Sequence, residues 1–79
     1  MNSLSLSSVR NPDPIKLNQR EFRFIQLACS ELTYVQIADQ MNVSPRTVDG
    51  YRESLFGRVH VKSRVGLALW AVKVGLVVL

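Results

Sequence analysis

Seventy-nine residues allow one small domain, close to the lower limit of what a single apolar core can hold together. A composition of 47% hydrophobic and 20% charged residues is that of a globular chain and excludes general disorder. The net charge is +4, of which three fall in residues 44–64, where Arg46, Arg52, Arg58, Lys62 and Arg64 stand against Asp49 and Glu53. An excess placed there suits a phosphate-binding surface, with an ordinary solvated face as the alternative.

Residues 1–14, "MNSLSLSSVRNPDP", are rich in Ser, Asn and Pro and lack helical periodicity. They read as a flexible arm or interdomain linker ahead of a domain over residues 15–79. No basic start leads into a long apolar run, so no secretory signal is expected. Asn18 followed by Glu21 has the capping-box spacing and opens a first helix. Phe22, Ile25, Ala28, Cys29 and Leu32 are expected inward, with an end near Ser30. Cys29 is the one cysteine, so an intramolecular disulfide is excluded, a reducing cytoplasm fits, and a small buried hydrophobe is the expected role.

Thr33 with Gln36 repeats the box and opens a short second helix, with Val35, Ile37, Ala38 and Met41 as its apolar positions. "MNV" makes a tight turn. Ser44 caps, and Pro45 begins, a third helix that runs to about Val59. "HVK" is a loop, and Ser63 caps a fourth helix that stops near Gly75. His60 has no second metal-type ligand nearby and reads as a solvated loop residue, so neither a metal nor another cofactor is expected. The C-terminal "VGLALWAVKVGLVVL" is shorter than the roughly 20 residues a membrane span needs and is interrupted by Lys73. It reads as core plus interface, without a membrane partner.

The expected fold is all-α, four helices in which the second and third form a helix-turn-helix. On the third helix Val48, Tyr51, Leu55 and Val59 share the packing side. Arg46, Gly50, Glu53, Ser54 and Gly57 fall opposite, with Thr47 and Asp49 at the edges. That outward side is the one available to a major groove, which makes Arg46, Asp49, Gly50 and Glu53 the candidate base contacts. A carboxylate there can accept a hydrogen from cytosine N4, while Gly50 lets the backbone approach. The alternative is that both acids point to water and pair with Arg46 or Arg52.

Thr47, Tyr51, Arg52, Lys62, Arg64 and, more weakly, Tyr34 are candidate phosphate contacts. Local roles compete at each of the stronger ones: a helix-terminus bond for Thr47, a core aromatic for Tyr51, a packed stem for Arg52, an ion pair for Lys62 and Arg64. The fourth helix is apolar nearly all round. Leu67, Ala68, Ala71 and Val72 can face the core, which leaves Val65, Gly66, Leu69 and Trp70 as a self-association surface unless Trp70 caps the core. One Cys, one His and no phosphate-cradling glycine loop assemble into no catalytic set, so an enzyme is not expected.

The motifs also resemble, collinearly and without gaps over residues 17–77, the LuxR-type helix-turn-helix domain found at the C-terminus of many bacterial response regulators. "LNQRE" (Leu17–Glu21) is similar to that family's Leu-Thr-x-Arg-Glu, and "QIA" (Gln36–Ala38) to its Glu-Ile-Ala. "SPRTVDGY" (Ser44–Tyr51) keeps the Ser, Thr and Val of its third helix. "RVHVKSR" (Arg58–Arg64) stands for its Lys-Leu-x-Val-x-x-Arg, and Gly75–Leu76 for its closing pair. Asp49 replaces a usual lysine and Tyr51 a usual histidine.

The resemblance implies a cytoplasmic, sequence-specific transcription regulator of a two-component system. Its partners would be double-stranded DNA read in the major groove at two half-sites, a second copy paired through the fourth helix, an upstream receiver domain and RNA polymerase. The competing reading is a helical protein-interaction module that keeps this fold without DNA binding, with Asp49 and Glu53 as the marks of that loss.

Overall fold

A computed structural model describes residues 15–78; the arm expected over residues 1–14 lies outside the described residues. Four helices follow one another, α1 (Gln19–Ala28), α2 (Tyr34–Met41), α3 (Pro45–Val59) and α4 (Arg64–Lys73), with no strand among the described residues.

Each helix starts at a side chain that supplies an acceptor for an otherwise orphaned amide. Asn18 Oδ1 accepts from the Glu21 amide at 2.8 Å, and Glu21 Oε1 accepts from the Asn18 amide at 3.1 Å. Thr33 and Gln36 exchange the same pair of bonds at 3.1 and 2.8 Å. Ser44 Oγ accepts from the Thr47 amide at 3.1 Å, and Ser63 Oγ from the Gly66 amide at 3.0 Å. Each cap contributes about 1 kcal/mol, and together they fix where helices this short begin.

Three of the helices end alike. Asn42, His60 and Gly75 take positive φ of 60°, 61° and 82°. The residue after each donates five positions back, Val43 to Ala38 O, Val61 to Phe56 O and Leu76 to Ala71 O, at 2.9–3.0 Å. That left-handed cap suits Asn and Gly. His60, expected as a solvated loop residue, is exposed and performs the same task. Only α1 ends without a positive φ, and a distant arginine closes it, as described below.

α1 and α3 each pack on all three other helices, while α2 and α4 flank them without meeting. The core is Phe24, Ile25, Leu27 and Ala28 of α1, Ile37 and Ala38 of α2, Val48 and Leu55 of α3, and Leu67 and Ala71 of α4.

Two inward assignments need correction. Phe22 is 36% exposed, and Phe24, fully buried, takes the place expected for it. α1 carries two overlapping apolar stripes, one through Phe22, Ile25 and Cys29 and one through Phe24, Ile25, Leu27 and Ala28, and the positions of its neighbours select the second. Val35 is 66% exposed. At 100° per residue it lies about 160° round the helix from Ile37 and just beyond Ala38, whereas Tyr34 falls between those two and packs against the core. Cys29 and Leu32 are half-buried against the core, and burial pushes the Cys29 thiol up, opposed by the Arg64 charge. A raised thiol suits a small hydrophobe rather than a nucleophile.

Candidate nucleic-acid interface

The turn between α2 and α3 is short because Asn42 reverses the chain in one left-handed step. Val43 and Ser44 then place Pro45 at the first turn of α3, where its missing amide costs nothing. Val48 and Leu55 are fully buried, with Tyr51 and Val59 half-buried beside them, so the packing side of α3 is the expected one. Arg46, Thr47, Asp49, Gly50, Glu53, Ser54 and Gly57 are all exposed.

Arg46, Asp49, Gly50 and Glu53 line one shallow concavity on α3, so the four candidate base contacts come together. Nothing approaches within 4 Å of where a Gly50 Cβ would stand, so the space is open to a partner. The acids already have a neighbour: Arg52 lies 3.7 Å from Asp49 and 3.8 Å from Glu53. Both contacts exceed hydrogen-bond length and both acids are largely exposed, so each is worth a fraction of a kilocalorie per mole.

The candidate phosphate contacts divide. The Thr47 hydroxyl is exposed and lies 3.1 Å from Ser44 Oγ beside the α3 cap, a geometry open to the local bond and to a phosphate alike. Tyr51 is half-buried, its ring centroid 6.0 Å from that of Phe24, which fits the core-aromatic alternative. Lys62 is exposed in the loop just before the Ser63 cap.

Arg64 is otherwise engaged. Its Nε donates to Ala28 O and its Nη2 to Ser30 O, both at 2.9 Å. Ala28 O is the last carbonyl of α1 and Ser30 O lies in the turn after it, so the guanidinium adds to the cap that Cys29 and Ser30 make there and complements the negative pole of the helix. The ion-pair alternative for Arg64 is replaced by this backbone cap, 36 residues away in sequence from Ala28.

Arg58, although exposed, is also engaged. Its Nη1 meets Glu21 Oε2 at 2.7 Å, and its Nη2 bonds the Lys16 carbonyl. Arg58 beside it holds the Glu21 carboxyl below the usual glutamate range, against the opposing effect of burial. Two of the five cations of residues 44–64 therefore serve the fold, which leaves Arg46, Arg52 and Lys62 as the cations of this segment not tied to backbone carbonyls. Sequence reasoning missed both the Arg64 cap and the Arg58 tie to Glu21 and Lys16, since neither has a local signal.

The self-association set divides too. Val65 and Leu69 are 67% and 66% exposed. With Cys29, Ala68 and Val72 they line an apolar groove between the end of α1 and α4. Gly66 faces inward, where a Cβ would stand 3.3 Å from both Val61 Cβ and Ser63 Oγ. Trp70 is half-buried against the core, as its alternative held. Among the described residues no three His, Cys, Asp or Glu side chains gather as a metal site, and no helix is long and apolar enough to cross a membrane.

The family described as "Bacterial regulatory proteins, luxR family" matches residues 16–71. The response regulators UvrY of Escherichia coli (strain K12) and of Shigella flexneri are each 30% identical over 60 residues, or 76% of this chain. The chain spans only 28% of the length of those relatives. No solved structure matches it.

Proposed function

The chain belongs to the luxR family of bacterial regulatory proteins, whose helix-turn-helix domains are DNA-binding regulatory domains, and we propose that residues 15–78 bind duplex DNA sequence-specifically as the output domain of a two-component response regulator. The carrying observation is the concavity of Arg46, Asp49, Gly50 and Glu53 on the open side of α3. In this reading α3 enters the major groove. Asp49 and Glu53 accept from cytosine N4, or less well from adenine N6, and Gly50 permits close approach. Arg46, Arg52 and Lys62 supply attraction to phosphates, helped by the hydroxyls of Thr47 and Tyr51. A carboxylate that finds no amino group is repelled by the backbone, so wrong sequences are rejected.

A second copy on an adjacent half-site pairs through Val65 and Leu69, and an upstream receiver domain and RNA polymerase are the further partners in a cytoplasmic setting. The rival reading, an interaction module without DNA binding, draws on the flanking of Arg52 by two acids.

The test is selection from randomised duplexes by the wild type, Asp49→Ala and Glu53→Ala. Each variant is expected to relax preference at one C·G pair. Identical motifs from all three would remove both acids from base reading, and no enrichment by the wild type would favour the interaction module.

A further inference from the structure

Beside the recognition face lies a stack that the DNA-binding reading leaves without a role. The Arg52 guanidinium carbon stands 5.5 Å from the centroid of the Tyr34 ring, and that of Arg64 stands 5.1 Å from it. The ring is itself fixed, because it stacks on the fully buried Phe24 at 6.3 Å and 18°. Arg64 has two backbone carbonyls to hold it. Arg52 has nothing comparable. Among the described residues it sits over this ring and lies 3.7 and 3.8 Å from two carboxylates, both too distant for hydrogen bonds.

We infer that Tyr34 is a positioning residue for DNA binding, acting through the face of its ring on Arg52 rather than through its hydroxyl on a phosphate. A planar guanidinium is attracted to the negative face of an aromatic ring and loses side-chain freedom there. A long exposed arginine otherwise samples many rotamers, and ordering it on DNA costs affinity. The stack bears that cost before DNA arrives and keeps the charge beside α3, while Asp49 and Glu53 offset the repulsion between two guanidinium groups over one ring. Carbonyl-bound Arg64 and core-bound Phe24 form the rigid part, and Arg52 the deliverable one. This inference rests on the DNA-binding reading and assigns a residue of α2 to the work of α3.

The experiment measures binding of a fluorescein-labelled duplex of random sequence between about 50 and 200 mM salt, because a phosphate contact needs no particular bases. Tyr34→Phe keeps the ring and should bind within about twofold of the wild type. Tyr34→Leu and Arg52→Met should each lose about fivefold and flatten the log–log salt slope by about one contact. The Tyr34→Leu, Arg52→Met double variant should lose no more than either single one.

In the free protein, ring-current shifts of the Arg52 δ protons should be upfield in the wild type and in Tyr34→Phe, a readout that no destabilised variant is needed to obtain. Losses by Tyr34→Phe that match Tyr34→Leu would assign the hydroxyl instead and overturn the inference, as would additive losses in the double variant. A missing ring-current shift overturns the role of Tyr34 alone, whereas wild-type binding that does not respond to salt overturns the DNA-binding reading.

Discussion

Glu21 joins two levels of the structure with one carboxylate. Oε1 accepts from the Asn18 amide and Oε2 from Arg58, so the start of α1 and the last turn of α3 share a side chain that is only 13% exposed. Arg58 is the largest cause of the lowered Glu21 pKa, with the Asn18 amide adding to it. Because the folded-state pKa lies below the unfolded one, the stabilisation is complete above the ordinary glutamate range and is lost as pH falls through the folded value. Glutamine can keep the capping bond but carries no charge for Arg58. Glu21→Gln should therefore cost about 1 kcal/mol at neutral pH. The gap to the wild type in denaturant melts should begin to narrow as pH falls below the ordinary glutamate range and close only below the lowered folded value. A gap that persists unchanged in acid would mean that the Arg58 pair adds nothing.

The glycines separate what a helix needs from what a site needs. Gly50 and Gly57 lie inside α3 with nothing within 4 Å of an added Cβ, and folding gives no reason for either. Alanine at each should stabilise by roughly 0.5–1 kcal/mol. For Gly50 that gain should come with weaker binding to the selected duplex, since the methyl group occupies the concavity. Gly66 in α4 is the opposite case. A Cβ would press on Val61 and on the Ser63 oxygen that caps the same helix, both at 3.3 Å. Gly66→Ala should raise helix propensity yet lower stability by about 1 kcal/mol, because the cap must move. Thermal melts of the three variants give the order directly. If Gly66→Ala is the most stable, Val61 yields more easily than its packing suggests.

At the scale of the whole molecule, an apolar groove lies between the end of α1 and α4, with the exposed Val65 and Leu69 among its lining. A two-fold pair would have to use the same patch on both copies. Trp70 is half-buried against the core and Gly66 faces inward, so the proposed interface is narrower than the sequence suggested. Leu69→Glu should leave the melting temperature nearly unchanged, since this side chain is mostly solvated. It should abolish cooperative binding to a duplex with two half-sites while affinity for a single half-site persists. Cooperativity that survives would place the contact elsewhere.

The helix boundaries were legible in the sequence because their causes are local. Asn18, Thr33, Ser44 and Ser63 each bond an amide three residues on, and Asn42 and Gly75 reverse the chain within one residue. The open side of α3 was legible too, since one helix period orders Val48, Tyr51 and Leu55 against Arg46, Gly50 and Glu53. Three matters were not, and each depends on residues far apart in the chain. The choice of Phe24 over Phe22 followed from where α2, α3 and α4 press on α1, because two apolar stripes competed and periodicity ranks neither. The cations of residues 44–64 looked alike, until tertiary packing gave Arg64 to the carbonyls closing α1 and Arg58 to Glu21, across 36 and 37 positions. Tyr34 and Arg52 are 18 positions apart and meet only because the turn at Asn42 lays α3 across α2. Caps and helix periods are set by interactions within a few residues, whereas the partner of a long charged side chain is set by whichever polar group the folded chain brings within its reach.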